Sequence, residues 1–484
     1  MSGKAIFNYR VLVFAVLVIF SLLSLLIVVA NHYCYRTFAF DFAHFRVSPS
    51  PLYFPDYPIT FLQDHFSLTI VLLSPLYWLL AWLTGSYTLL VIQWLFIVSG
   101  AWATYKLVAF KSQKPLMGLL SLIYFFVLFG RYSSGDADCN LAIIGASTIP
   151  VFLYFFETRK TLAAVLTFSF LLVTREDYSL WLIFISLFLL VLHRKDKEQR
   201  QKALLFLIAA VVFLVLIFKV FIPALEDENK KYTLFEFSAL GSTPFEALGF
   251  MFAHPLRTIE LLFINHSGDK NYDMIKAEFY IMYLLAGGFI LFSRPLYLIP
   301  FIPLIAKKMF ADSPMRWSVE AYYSIEVVSL LPVMVFGVLS SFKNNKLKYF
   351  AGACICILTA FLTVKKFYTE PRMWGFGGSS KFNFLSPSFY KPLYNVSEVN
   401  EALGMIPGTA AICASGRMTP HLAFREKIYC YPKVKDASYI FLFKHDDSFP
   451  LSNEEFDKQL KDRVSDPEWK IIADKPDFIL FERK

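Results

Sequence analysis

Between positions 11 and 30 the chain carries twenty residues without a single charge. At ~1.5 Å of rise per residue, a helix of that length covers ~30 Å, the thickness of a bilayer's hydrocarbon core. Backbone in that medium must bond to itself, so such a segment is either a helix or one strand of a closed barrel. The apolar residues run continuously rather than alternating, which selects the helix. Further runs of this kind recur along the 484 residues, and composition makes them the rule: 56% of residues are hydrophobic and 18% charged. An ordinary soluble chain sits near ~45–50% and ~25%. Disorder, collagen, a coiled coil and a small disulfide scaffold are excluded on the same grounds. The expected fold class is an all-α polytopic membrane protein.

Lys4 and Arg10 precede the first run, and no A-x-A-like cleavage site follows it. It therefore reads as an uncleaved helix with its N-terminus in the cytoplasm. Ten further spans are expected at 87–109, 115–130, 140–156, 161–173, 178–192, 203–223, 277–292, 296–306, 322–342 and 348–364, about eleven in all. Segment 67–83 is apolar too, but holds Pro75, Tyr77, Trp78 and Trp82. If it crossed, Lys106, Lys111 and Lys114 would lie outside; it is read as an interfacial helix on the outer surface. A single helix over 161–192 would carry Arg175, Glu176 and Asp177 at mid-membrane, at roughly 2.5–3.5 kcal/mol each. Two helices joined by a charged outer turn are expected instead. In this arrangement the inner loops hold sixteen Lys and Arg and the outer segments seven, leaving aside the stretch after Pro223 and the tail. The net charge of +9 is then the usual excess facing anionic lipid, not a nucleic-acid surface.

After Lys365 the composition turns polar. Residues 1–366 are expected to form the membrane domain, with a first outer loop at 31–86. Residues 367–484 form a linker and a small extracytoplasmic α/β domain. Its strands are expected at 409–414, 427–431, 438–443, 469–473 and 478–482, and its helices at 396–403 and 453–464. Ser452 and Glu455 have capping-box spacing at the second helix. Cys413 and Cys430 end two of the strands and either pair or stay as core thiols.

No phosphate-binding glycine loop, zinc spacing or G-x-S-x-G elbow is present in the sequence, which removes ATP-driven transport and most hydrolase classes. Ionisable residues gather on the expected outer side. Asp41 lies between Phe40 and Phe42, with His44 and Arg46 beyond. A partly desolvated carboxylate has a raised pKa and suits general-base work; the other reading is an ordinary helix-end carboxylate. Asp64-His65 is a base with its orienting partner, a metal-ligand pair, or the cap of the interfacial helix. The turn Arg175-Glu176-Asp177 either dips toward the membrane or is a solvated tight turn. Lys307, Lys308, Arg316, Trp317, Glu320, Tyr322 and Tyr323 place basic groups beside aromatics. That suits a lipid phosphate head group, or an interfacial anchor belt.

The order of these features, with Asp64-His65-Phe66 leading into Ser74-Pro75-Leu76-Tyr77, resembles a bacterial membrane family known as domain of unknown function 2079, grouped with the GT-C glycosyltransferases. The matching stretches are 40–45, 64–77, 174–178, the Tyr322-Tyr323 helix start and 414–432, which includes Pro420-His421-Leu422-Ala423 and Arg425. The resemblance implies a multi-helix transferase in the bacterial cytoplasmic membrane. A polyprenyl-phosphate sugar would be its donor, a glycan, lipid or protein its acceptor, and the C-terminal domain would lie outside. Asp41 falls at the position of the acidic residue that acts on the acceptor. GT-C loops often carry two adjacent acidic residues, whereas Phe42 follows Asp41 here. Asp41 is left to act alone or with His44 or Asp64, a divalent metal stays open, and no other cofactor is called for. Two further classes compete with the transferase: a transporter or lipid flippase, which would place charges near the midplane and show repeats, and a non-catalytic envelope assembly protein. The transferase reading expects Asp41, the Glu176 turn and the Arg316 region to share one cavity.

Overall fold

The structure, a computed structural model, describes residues 3–38, 66–136, 138–225, 235–369, 381, 383–422, 424–445, 448 and 451–484. It is mostly helical and ends in a five-stranded sheet. The helices used below are α1 (Gly3–Tyr33), α2 (Thr69–Thr84), α3 (Thr88–Ser112), α4 (Pro115–Val127), α5 (Leu141–Glu157), α6 (Thr161–Leu172), α7 (Tyr178–Leu192), α8 (Lys197–Leu216), α9 (Pro244–Ala253), α10 (Pro255–Leu261), α11 (Ile275–Leu285), α12 (Ile302–Met309), α13 (Ile325–Ser340), α14 (Asn345–Phe367), α15 (Val396–Gly404) and α16 (Asn453–Ser465).

Short polar residues set the helix starts. Asn140 accepts from the Ala142 amide at 2.9 Å, Asp196 from Gln199 at 3.2 Å and Asn344 from Lys346 at 2.9 Å, each satisfying an otherwise orphaned N–H. Pro115 opens α4, where its missing N–H costs nothing. Within the bundle, α5 and α13 bury nearly every side chain, while α8 buries only Gln199, Ala203, Phe206 and Ala210. The first pair is interior; the outward face of α8 is apolar and unpacked.

The sequence reading of about eleven spans meets a finer picture. Among the described residues, five runs are long and apolar enough to cross a membrane: Tyr9–Tyr33, Thr69–Ser112, Lys197–Leu225, Pro314–Ser340 and Asn345–Phe367. The helices α4 to α7 have 12 to 17 residues and fall short of ~30 Å. Two expected spans are broken rather than continuous. Over 277–292, α11 stops before Gly287, whose φ of 107° turns the chain into a 3₁₀ segment, Gly288–Ser293. Over 296–306, Pro295 and Pro300 lie in another 3₁₀ stretch, Pro295–Phe301, and Pro303 in the first turn of α12; each proline lacks an N–H donor. Continuous apolarity is common to lipid-facing helices and to pieces buried inside a bundle, so it does not separate the two. Gly85, at φ 51°, divides the Thr69–Ser112 run into α2 and α3.

In the C-terminal part the strands are β1 (Ile412–Ala414), β2 (Ile428–Cys430), β3 (Tyr439–Phe443), β4 (Trp469–Asp474) and β5 (Phe478–Arg483), in the order β2-β1-β3-β5-β4. β1 runs parallel to β2 and β3, and β5 antiparallel to β3 and β4. All five expected strands and both helices are present within a few residues, and Ser452 and Glu455 form a full capping box on α16. Cys413 and Cys430 are both buried. Cys413 pairs in register with Tyr429, and Cys430 with Ala414, so the two thiols leave the sheet on opposite faces.

The sheet domain is packed onto the end of α1. Arg36, 2% exposed, donates to the Phe389 carbonyl, to Ser388 O at 3.1 Å and to Lys391 O at 2.8 Å. His421 stacks on His32 with ring centres 3.9 Å apart and on Tyr35 at 4.1 Å. Gly416 meets Phe38 so closely that a Cβ there would sit 2.4 Å from the ring.

Candidate functional site

The turn at 173–177 follows α6, and its shape comes from its neighbours. The Leu68 amide donates to Val173 O at 2.9 Å, and Thr69 Oγ1 to Thr174 Oγ1 at 3.1 Å. On the other side, Tyr178 OH donates to Ala142 O at 2.7 Å. Its ring lies against Gly145, where a Cβ would fall 2.5 Å from the ring. The turn is thus clamped between the start of α2 and the middle of the bundle. Arg175 and Glu176 are buried, at 8% and 3% exposure. The solvated-turn reading does not hold for these two residues.

Two buried charges and a half-buried one in a single turn require partners. Arg175 Nε lies 3.4 Å from Asp177 Oδ1, and Lys307, in the last turn of α12, reaches Asp177 Oδ2 at 2.8 Å. The same ammonium bonds Glu326, in the first turn of α13. Both helix ends favour these signs: a cation at the C-terminus of α12 and an anion at the N-terminus of α13. Burial alone would lower the pKa of Arg175, but the Asp177 and Glu176 carboxylates raise it well above its ordinary value. It therefore stays charged. Tyr323 stacks on Tyr322, ring centres 4.0 Å apart, and lies near two cations, with Lys307 5.8 Å and Arg316 5.5 Å from its ring. Arg316 closes the group through an ion pair with Glu236 at 2.7 Å. The structure thus gathers Arg175, Glu176, Asp177, Lys307, Arg316, Tyr322 and Tyr323.

Lys308 belongs to the same stretch but faces inward. It donates to Ser318 O at 3.2 Å and lies 5.1 Å from the Phe279 ring. Asp41, His44, Asp64 and His65 lie outside the described residues. The expected common cavity with Asp41 therefore falls outside the described residues; within them, the Glu176 turn and the Arg316 region meet in an ion network. An apolar cavity does occur, lined by Leu128, Phe129, Met282, Tyr283, Thr359 and Thr363 among others, but none of the expected site residues lines it. Among the described residues no group of three or more His, Cys, Asp or Glu could hold a metal ion.

Sequence reasoning missed Glu326, Glu236 and a second network in which Lys366 lies 2.6 Å from both Glu278 and Glu320. Glu326 carried a usable signal, because a carboxylate inside an apolar span asks for a partner and a role. Glu236 lies in the long stretch after Pro223, which offered no pattern.

A second junction holds the exit of α1, three residues before Asp41. The Phe38 amide donates to Asp138 Oδ2 at 2.6 Å, Lys381 donates to Asp138 Oδ1 at 3.1 Å, and Asn31 donates to Lys381 O at 2.8 Å. Burial pushes the Asp138 carboxyl up from its ordinary pKa, against the pull of Lys381 and the Phe38 amide.

No curated protein matches the chain. Two solved structures of an oligosaccharyltransferase from Archaeoglobus fulgidus align with it. The apo form shares 11% identity, covers 89% of this chain and 69% of that one, and has a TM-score of 0.45. The form tethered to an acceptor peptide containing the NVT sequon shares 12% identity at the same coverage, with a TM-score of 0.42. A family model described as predicted membrane protein (DUF2079) matches residues 42–480. The chain belongs to that family of membrane proteins.

Proposed function

We propose that the chain is a membrane glycosyltransferase that takes a sugar from a polyprenyl-phosphate donor. The observation that carries this reading is the gathering of Arg175, Lys307 and Arg316, from three separate segments, around Tyr323. Such donors arrive with an activated phosphate leaving group, so a clamp for the phosphate and a base for the acceptor suffice. Arg175 and Arg316 would form the clamp by exchanging a carboxylate contact for a phosphate oxygen, with Lys307 beside them and Tyr322 and Tyr323 forming the wall. Asp41 would be the base. The acceptor hydroxyl oxygen bonds to the anomeric carbon as the bond from that carbon to the phosphate oxygen breaks. The electron pair leaves with polyprenyl phosphate, and the acceptor proton passes to Asp41. His44, Asp64, His65 and Glu176 are the groups proposed to orient that base, with a divalent metal open as a further aid.

Chain connectivity ties both flanks of the first outer loop to described residues. Asp41 follows Phe38 by three residues, and His65 directly precedes Phe66, with ~3.8 Å between successive Cα atoms. Phe38 is fixed to Asp138, while Leu68 and Thr69, just beyond Phe66, are fixed to the Arg175 turn.

The proposed setting is a bacterial cytoplasmic membrane, with the N-terminus inside, about eleven crossings and the C-terminal domain outside. The excess of basic residues in the assigned inner loops supports it. A reporter fused after Lys484 should be active only if exported.

A second reading, a non-catalytic assembly protein, is favoured by one feature: Arg175, Lys307 and Arg316 each already have a carboxylate partner. Lipid extracts of a deletion strain separate the two. The transferase reading expects a polyprenyl-phosphate sugar to accumulate; an unchanged lipid-linked sugar pool supports the assembly reading.

A further inference from the structure

We propose that α9 and α10 form a monotopic, lipid-binding element that lies along one leaflet at the boundary between head groups and acyl chains. Sequence reasoning assigned nothing to this stretch. Phe245, Leu248, Phe252, Leu256, Ile259 and Phe263 recur every three or four residues, which puts the first three on one face of α9 and Leu256 and Ile259 on one face of α10, with Phe263 just beyond it. All six are more than half exposed, and Phe252 and Leu256 reach 85% and 82%. The opposite face is packed: Ala247 and Leu261 are buried with Leu240 and Phe310. A single residue, His254, separates the two helices, and Pro255 starts the second. Helices of 10 and 7 residues are far too short to cross ~30 Å. Arg257 and Glu260, ion-paired at 2.7 Å, lie off the apolar stripe, as the polar side of an interfacial helix does.

Continuity identifies lipid as the occupant. The Lys219 ammonium lies 5.2 Å from the Phe245 ring. Lys219 sits near the end of the Lys197–Leu225 run, one of the five candidate spans, most of whose apolar surface is unpacked. The stripe therefore carries on from the flank of a lipid-facing helix. A lysine there can keep its charge among head groups while its stem stays in the apolar layer.

The element is joined to the ion network by polar links. Just before it in the chain, Glu236 pairs with Arg316, and Ser238 donates to Asp312 through both its amide and its hydroxyl. At its end, Lys276 holds both Leu261 O, at 2.6 Å, and Met309 O, at 2.7 Å. Seating the stripe in a leaflet fixes Arg316 and Tyr323 at head-group level. This inference does not depend on what reaction, if any, occurs there.

The test uses the full chain in phosphatidylcholine nanodiscs, in a Cys354→Ser background because Cys354 is the exposed cysteine among the described residues. An environment-sensitive fluorophore is attached at Phe252→Cys and, separately, at Leu256→Cys, with Lys458→Cys on the exposed face of α16 as the aqueous control. The expected result is blue-shifted emission at 252 and 256. Lipids brominated near the glycerol end of the acyl chain should quench it more than lipids brominated near the chain end, with little quenching by iodide. Iodide quenching equal to that at 458 overturns the proposal in favour of an aqueous surface. Strongest quenching at the bilayer centre overturns it in favour of a deeply inserted segment. Protection from both quenchers overturns it in favour of a protein covering the stripe.

Discussion

The Lys307 ammonium lies 2.8 Å from the Asp177 carboxylate, 130 positions away in the chain. It also bonds Glu326, so one cation ties the turn after α6 to the ends of α12 and α13. Glu326 lies in an otherwise apolar helix, while Asp177 lies in a charged turn and also within 3.4 Å of Arg175. The lysine adds an ionic tie to the clamp that Leu68, Thr69 and Tyr178 form on the turn.

Lys307→Met removes the cation and keeps the stem. It leaves two carboxylates facing each other, and breaking a buried pair this way typically costs about 3–5 kcal/mol. Thermal unfolding in detergent should shift clearly downward. Lys307→Arg, which keeps the charge, should recover much of the loss. An unshifted transition for Lys307→Met would show that the network does not hold the turn.

Gly416→Ala should loosen the contact between the sheet domain and the exit of α1. The added methyl would fall 2.4 Å from the Phe38 ring, and overpacking of this kind costs about 1–3 kcal/mol. Faster protease cleavage between α14 and α15 is the expected readout. Pairing it with Phe38→Ala should give less than the sum of the two effects, because the clash is gone. Strict additivity would mean that the two residues do not touch.

His421 supplies a pH dependence. Burial pushes its imidazole down to about 3 from an ordinary 6.5. Between those values the unfolded chain binds a proton that the folded chain does not, so stability rises with pH across that window and is lost on acidification. The slope is at most ~1.4 kcal/mol per pH unit for one group. His421→Phe keeps a ring against His32 and Tyr35 and removes the titration. Urea unfolding of the sheet domain between pH 6.5 and 4 should show a shallower pH slope in the variant. Equal slopes would assign the effect elsewhere.

The sheet domain was legible almost strand by strand, because its short apolar runs are bounded by turn residues and Ser452 and Glu455 mark a helix start. The bundle was legible as helices but not as crossings: α5 is as apolar as α1, yet one is buried and the other faces outward. At the site, Arg175 and Lys307 stood out as charges beside apolar runs. Their pairing through Asp177 did not, because nothing local links positions 177 and 307. Glu326 was legible as a carboxylate inside an apolar span but its partner was not, and the two broken segments near Gly287 and Pro300 were hidden by their hydrophobicity.

The transferase account is tested most directly by measuring release of free polyprenyl phosphate from polyprenyl-phosphate sugars by the purified full chain, with hydroxyl-bearing envelope glycans, lipids and proteins present as acceptors and Asp41→Asn beside it. That substitution keeps shape and hydrogen bonding and removes the proton acceptor. The account predicts release by the native chain and a loss of about 10²–10⁴-fold in Asp41→Asn, with both proteins inserting and unfolding alike. No release by the native chain from any such sugar, or equal release by the two, would contradict it.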